Sequence, residues 1–124
     1  MLNETQIEHE LKNPNNMDVF DVIVIGSGPA GMSAAICCCR AKLKTLVIDK
    51  ALPGGQTSTA YNISNYIGFP SGILGNDLAS RMEQHLADYD VHSICENVED
   101  IINIHDKVKI VKTDLGNLFK TKSL

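Results

Sequence analysis

The chain has 124 residues, 44% of them hydrophobic and 21% charged, with a formal net charge of -4; this is the profile of one globular domain, not of a disordered chain, a collagen-like repeat or an intact two-domain enzyme. Eleven basic residues against fifteen acidic ones supply no strong positive field for phosphate backbones, so no nucleic-acid partner is expected. No apolar run reaches the roughly 18 to 20 residues that span a bilayer, and the opening stretch has no apolar segment fit for a signal peptide, so no membrane is expected and the cytoplasm is the expected compartment.

The first segment, residues 1–17, is polar and ends near Asn13-Pro14-Asn15-Asn16. It reads as an arm with at most one short helix over residues 5–12, and Met17 offers a second possible translation start. Val19-Phe20-Asp21-Val22-Ile23-Val24-Ile25 is a nearly unbroken β-branched and apolar run, which predicts a buried parallel strand. Gly26-Ser27-Gly28-Pro29-Ala30-Gly31 follows, then residues 32–42, rich in small residues, predict a helix with Pro29 in its first turn. Thr45-Leu46-Val47-Ile48 predicts a second strand ending at Asp49, completing a β-α-β unit.

Five of the nine glycines, Gly54, Gly55, Gly68, Gly72 and Gly75, lie between Ala51 and Asn76 together with Pro53 and Pro70. They predict a long irregular connection of the kind that usually carries function. Asn76 or Asp77 is the expected cap of a helix running to about Tyr89, with Leu78, Met82, Leu86 and Tyr89 on its apolar face. A third strand is expected over residues 91–95. Strands over 98–104, 107–113 and 118–121, separated by turns at His105-Asp106 and Leu115-Gly116-Asn117, predict an antiparallel meander.

A bare G-x-G-x-x-G is weak evidence, but here it follows a predicted strand, opens a predicted helix and has an acidic residue at the end of the next strand. Gly26 permits the tight turn, Gly28 lets a pyrophosphate approach the backbone, and Gly31 lets helix and strand pack closely. Free amides at the helix N-terminus meet the phosphate charge. Asp49 lies 23 positions after Gly26, near the offset at which a carboxylate accepts hydrogen bonds from an adenosine ribose and disfavours a 2′-phosphate. FAD or NAD is therefore expected, and NADP is not.

The cysteines are Cys37, Cys38, Cys39 and Cys95. Successive helical side chains point about 100° apart, so the consecutive three cannot converge on one metal; they are expected to be core-facing or semi-buried thiols, and Cys95 to be a packing residue. His9, His85, His92 and His105 show no ligand spacing, so no metal site is expected. Glu99 and Asp100 read as a solvated edge pair. No catalytic acid, base or nucleophile is expected within this stretch.

Pro53-Gly54-Gly55-Gln56, then Ile63-Ser64-Asn65-Tyr66-Ile67-Gly68-Phe69-Pro70, then Gly72-Ile73-Leu74-Gly75 resemble the corresponding stretch of the low-molecular-weight thioredoxin reductases, FAD-dependent pyridine nucleotide-disulfide oxidoreductases. The resemblance runs from about Asp18 through nearly all the remaining chain. It implies an α/β fold: a Rossmann-like FAD-binding domain, with a parallel sheet, a β-α-β dinucleotide unit and an antiparallel β meander. It further implies that Gly26, Ser27, Gly28, Pro29, Ala30 and Gly31 receive the FAD pyrophosphate. Asp49 stands where the family more often has Glu. Gly55, Gln56 and Asn65 would line the flavin, and the Val98 backbone would lie near the adenine. A plain turn-stabilising role for Asn65 stays open.

The resemblance is to part of the family pattern only. Family members carry a Cys-x-x-Cys pair and a second glycine motif in an NADPH-binding domain, and a later Gly-Asp segment that completes the FAD site. None of these is in the sequence, so residues 18–124 are expected to be a partial FAD-binding domain, an N-terminal fragment following the arm. The implied reaction of the intact protein takes electrons from NADPH through FAD to a thioredoxin-like protein disulfide, with a homodimer implied by resemblance alone. Two other readings remain: a related flavoprotein without redox cysteines, of the ferredoxin-NADP reductase type, and a non-catalytic truncated dinucleotide-binding module. A partial flavin domain is expected to hold its cofactor weakly, to self-associate, and to be inactive on its own.

Overall fold

A computed structural model describes residues 19–51, 57 and 59–124. Eight elements follow in order: β1 (Val19–Ile25), α1 (Pro29–Arg40), β2 (Thr45–Asp49), α2 (Gly75–Ala87), β3 (His92–Cys95), β4 (Val98–Ile102), β5 (Lys109–Thr113) and β6 (Leu118–Ser123). The strands form one six-stranded sheet in the order β3-β2-β1-β6-β5-β4. The expected β-α-β unit is β1-α1-β2, with β1 and β2 parallel in the register Val22 to Thr45 through Ile25 to Ile48.

The expected meander is β4-β5-β6, and it is continuous with the parallel half of the sheet. Its last strand pairs antiparallel with β5 and parallel with β1, where Val19, Phe20 and Val22 face Lys120, Thr121 and Ser123. That pairing stops at Val22, so on this side Ile23–Ile25 meet no strand among the described residues, and Ile25 is 46% exposed.

The apolar residues segregate by face. Val47 packs with Met32 and Ala35 of α1 and Leu86 of α2, with Val24 and Met82 beside them. Ile23, Leu46, Ile48 and Val111 form a second buried cluster with Val98 and Phe119 packed against it. Thr45 through Ile48 are all buried, which is why β2 reads as a continuous apolar run: a central parallel strand has no solvent face.

Element ends differ from expectation where tertiary contacts intervene. α1 ends at Arg40, and Lys42 takes a left-handed φ of 61°. Leu43 N–H and Lys42 N–H close back on Cys38 O and Cys39 O, a helix-ending turn that usually employs glycine. α2 starts at Gly75, after Leu74, with no side-chain cap. Asn76 and Asp77 therefore lie inside its first turn, where Asp77 meets the helix dipole. The buried Gly75 donates to Ala60 O at 3.1 Å, and a Cβ there would run into the carbonyls of Ala60 and Thr57; close packing on Thr57 and Ala60 sets the start of the helix. It ends at Ala87, two residues before Tyr89.

In the meander, β4 ends at Ile102 and β5 begins at Lys109, so the turn around His105-Asp106 is longer than expected, with Asn103 left-handed at φ 59°. The turn at Gly116 is as expected, with φ 82° and a bond from Thr113 N–H to Asn117 O.

Cys38 and Cys39 are half-buried, as expected, but Cys37 and Cys95 are exposed. The buried stripe of α1 runs through Met32, Ala35 and Ile36 at a spacing that next reaches position 39, so Cys37 points away from it. Cys95 lies on β3, one of the two edge strands of the sheet. Glu99 and Asp100 are solvated as expected, Glu99 reaching Lys112 at 3.5 Å. The four cysteines are unpaired, and no group of His, Cys, Asp or Glu able to hold a metal occurs among the described residues.

Candidate functional site: the turn between β1 and α1

The carboxyl end of the parallel strands gathers most of the predicted site. β1 delivers the chain to Gly26, whose φ of 107° is open to glycine and strained for other residues. The Gly26 amide donates to Ile48 O at 2.8 Å, which fastens the turn to β2. A Cβ at Gly31 would run into the carbonyl oxygen of Gly26 and approach Val24, so glycine is required there for helix and turn to touch. At Gly28 a Cβ would meet nothing within 4 Å. The three motif glycines thus divide into one for backbone shape, one for packing and one beside open space.

Pro29 is the first residue of α1, and the first intrahelical bond runs from Met32 N–H to Gly28 O. The amides of Ala30 and Gly31 precede that ladder and belong to the set of free donors that a helix offers at its N-terminus. Together with the helix dipole they form a place for a phosphate.

Asp49, at the end of β2, reaches across to the same turn. Its Oδ2 accepts the Ser27 amide at 2.6 Å and the Ser27 hydroxyl at 2.9 Å, while Oδ1 accepts the Ala51 amide at 3.0 Å. Burial pushes the Asp49 carboxyl up, but these donors outweigh burial and hold it below the ordinary carboxylate range. It is ionised at neutral pH.

A cleft of about 200 Å³ opens beside this turn, lined by Gly26, Ile48, Asp49, Lys50, Asn97 and Val98 among others. Val98 therefore joins Gly26 and Asp49 at one cavity. The register of β4 against β5 shifts between Val98 and Asp100, and such a bulge turns one residue out of the regular alternation. Sequence reasoning missed Lys50, Glu96 and Asn97 at this cleft. The last two sit in the link between β3 and β4, where no periodic pattern marks them. Asn97 exchanges bonds with Asp114, and the Glu96 carboxylate accepts Asn117 Nδ2–H at 2.9 Å, which ties this link to the β5-β6 turn.

Asn65 is exposed and lines a separate hollow formed by residues 64–70. The hollow belongs to a connection closed by two hydrogen bonds between Ile63 and Ile73. The expected flavin-lining residues Gly55 and Gln56 fall outside the described residues, as does the arm at residues 1–17.

Three comparisons place this arrangement among known proteins. Residues 20–123 match the family model of the pyridine nucleotide-disulphide oxidoreductases. The chain is 43% identical over 110 residues to a 34.2 kDa protein of the rubredoxin operon of Clostridium pasteurianum, covering 85% of this chain and 33% of that one. It is 39% identical over 94 residues to the thioredoxin reductase of Bacillus subtilis, covering 76% and 29% respectively. The crystal structure of Lactococcus lactis thioredoxin reductase superposes with a TM-score of 0.78 at 37% identity, over 83% of this chain and 33% of that one. The chain thus spans about a third of the length of these relatives. With the glycine turn, the strand-end carboxylate and the family model agreeing over most of its length, this chain belongs to the pyridine nucleotide-disulphide oxidoreductase family.

Proposed function

We propose that this chain is the FAD-holding part of a thioredoxin reductase-like flavoprotein. The observation that carries the reading is the open space beside Gly28 at the head of α1, where a pyrophosphate fits against free amides. Gly26 and Gly31 shape and support that turn. Asp49 borders the place of the adenosine ribose, and its negative charge disfavours a 2′-phosphate. Val98 and the cleft beside it suit the adenine. The flavin end is assigned to Gly55, Gln56 and Asn65 on resemblance.

Once bound, FAD supplies the redox chemistry, and the residues named here bind and orient it. For the whole protein we propose electron transfer from NADPH by way of this site to a disulfide of a thioredoxin-like protein. The relatives support it: two of those compared above are thioredoxin reductases. A homodimer is part of the same proposal. A cytoplasmic location fits four unpaired cysteines, and no helix among the described residues is long and apolar enough to cross a membrane.

The test is titration of the purified chain with FAD, followed by flavin fluorescence quenching and by the visible spectrum of what is retained after free flavin is removed. Saturable binding is expected, with Gly28→Val at least tenfold weaker while its thermal unfolding stays within a few degrees of the parent, because the space at Gly28 is open. Equal quenching by parent and variant, or none by either, would remove the assignment of this turn to FAD.

A further inference from the structure

Ser27 is 3% exposed, and both hydrogens that it can donate go to one atom. Its amide and its hydroxyl converge on Asp49 Oδ2 at 2.6 and 2.9 Å. The other oxygen of Asp49 holds the Ala51 amide at 3.0 Å. A carboxylate offers about four acceptor positions; these three donors, with the Lys50 amide that also lowers the Asp49 carboxyl, take up most of them from within the protein, and Oδ2 is saturated. A strand-end carboxylate devoted to ribose alone would keep its oxygens open.

The arrangement has a physical consequence for the turn. Ser27 is the middle residue of Gly26-Ser27-Gly28, between a glycine at φ 107° and the glycine beside which the space is open. Both neighbours are conformationally permissive, and a turn of this kind left to itself samples several backbone states. Ordering it at the moment of binding would reduce affinity. Two bonds from its middle residue to a charged group on the neighbouring strand, with the Gly26 amide on Ile48 O at 2.8 Å, remove that freedom in advance. They also spread the Asp49 charge over donors, which lessens its repulsion of an anion at the same turn.

We propose that Asp49 is a positioning residue that acts on the dinucleotide through Ser27: it sets the phosphate-receiving turn before the ligand binds, and leaves at most one position on Oδ1 for direct contact with ribose. The inference rests on the reading that this turn receives a dinucleotide. It differs from a direct ribose contact in what it requires of Ser27.

A double-mutant cycle in the full chain decides between them, read by FAD titration and by amide hydrogen exchange of the ligand-free chain. Ser27→Ala is expected to weaken FAD binding about tenfold, the size of one hydrogen bond to a charged group. Asp49→Ala is expected to weaken it further, and the double variant to be no weaker than Asp49→Ala alone, because the hydroxyl has then lost its acceptor. In the ligand-free chain the Ser27 amide is expected to be protected, at least tenfold more than in Asp49→Ala. Asp49→Asn keeps an acceptor oxygen and is expected to retain most of that protection, which separates positioning from general loss of structure.

Independent, multiplying effects of the two substitutions on FAD affinity would overturn the proposal, as would an unprotected Ser27 amide in the ligand-free parent. If Ser27 is protected by Asp49 while the parent shows no saturable FAD binding, the preset turn stands and the dinucleotide reading is what fails.

Discussion

Two glycine-rich regions of this chain use glycine for different ends. In the turn at residues 26–31, glycines let rigid elements meet: Gly31 touches the carbonyl of Gly26, Gly26 bonds to β2, and Ser27 is held by Asp49. In the connection at residues 60–74, Gly68 and Gly72 have φ values of 102° and 79° and let the chain fold back on itself, closed by the pair of bonds between Ile63 and Ile73. The turn is walled by core strands and a helix. The connection leaves Tyr61 at 87% and Ile67 at 95% exposure. A site that must hold a charged group in fixed geometry is built from the first kind of structure, and a surface that meets another surface can be built from the second.

The largest expected effect tests the rigidity of the turn. Gly31→Ala drives a methyl group into the Gly26 carbonyl and is expected to cost about 3 kcal/mol in urea unfolding. Gly68→Ala, which meets open space but keeps a left-handed φ, is expected to cost about 1 kcal/mol. Equal costs at the two sites would end the distinction drawn between them.

A smaller effect comes from pH. The folded Asp49 carboxyl titrates below its unfolded value of about 3.9, so its contribution is complete above that value and is lost as the pH falls through the folded one. Asp21 behaves alike, held down by the Lys44 amide. Stability should be level from about pH 5 to 7 and decline below about pH 4. With Asp49→Asn the decline should shrink by about 1 kcal/mol, after allowance for solvent screening. An unchanged decline would show that the Ser27 bonds contribute nothing to the fold.

Away from both regions, Lys42 at φ 61° carries strain that glycine relieves, so Lys42→Gly is expected to stabilise the chain by about 0.5 kcal/mol in thermal unfolding. A loss of stability there would mean that the Lys42 side chain contributes more than its backbone costs. The smallest effect belongs to the connection. Ile67→Ser should change stability by less than about 0.5 kcal/mol while reducing self-association in sedimentation velocity. A large loss of stability would place Ile67 in a packed core and undo its description as a free surface.

The β-α-β unit was legible because each of its parts has a local cause. A strand buried on both faces must be apolar throughout, a turn with left-handed and close-packed positions needs glycine, and a proline fits the first turn of a helix. The meander was legible from alternation and from Gly116. The beginning of α2 was not, because Asn76 and Asp77 are good caps by chemistry, while the start is set by Gly75 packing against Thr57 and Ala60, 15 or more positions away. The exposure of Cys95 follows from which strand lies at the sheet edge, and that order is a property of the assembled sheet.

The candidate site divides in the same way. Sequence by itself determined the glycine turn at the head of α1, the presence of an acidic residue at the end of β2 and the family resemblance, because these depend on residue type at fixed spacing. Tertiary structure alone decided that Val98 shares a cleft with Gly26 and Asp49, that Asn97 and Glu96 line it too, and that the Asp49 carboxylate is taken up by Ser27. The physical reason is one of range. Backbone conformation is set by neighbours along the chain, whereas a hydrogen bond across 22 residues exists only once two strands have paired and brought their ends together.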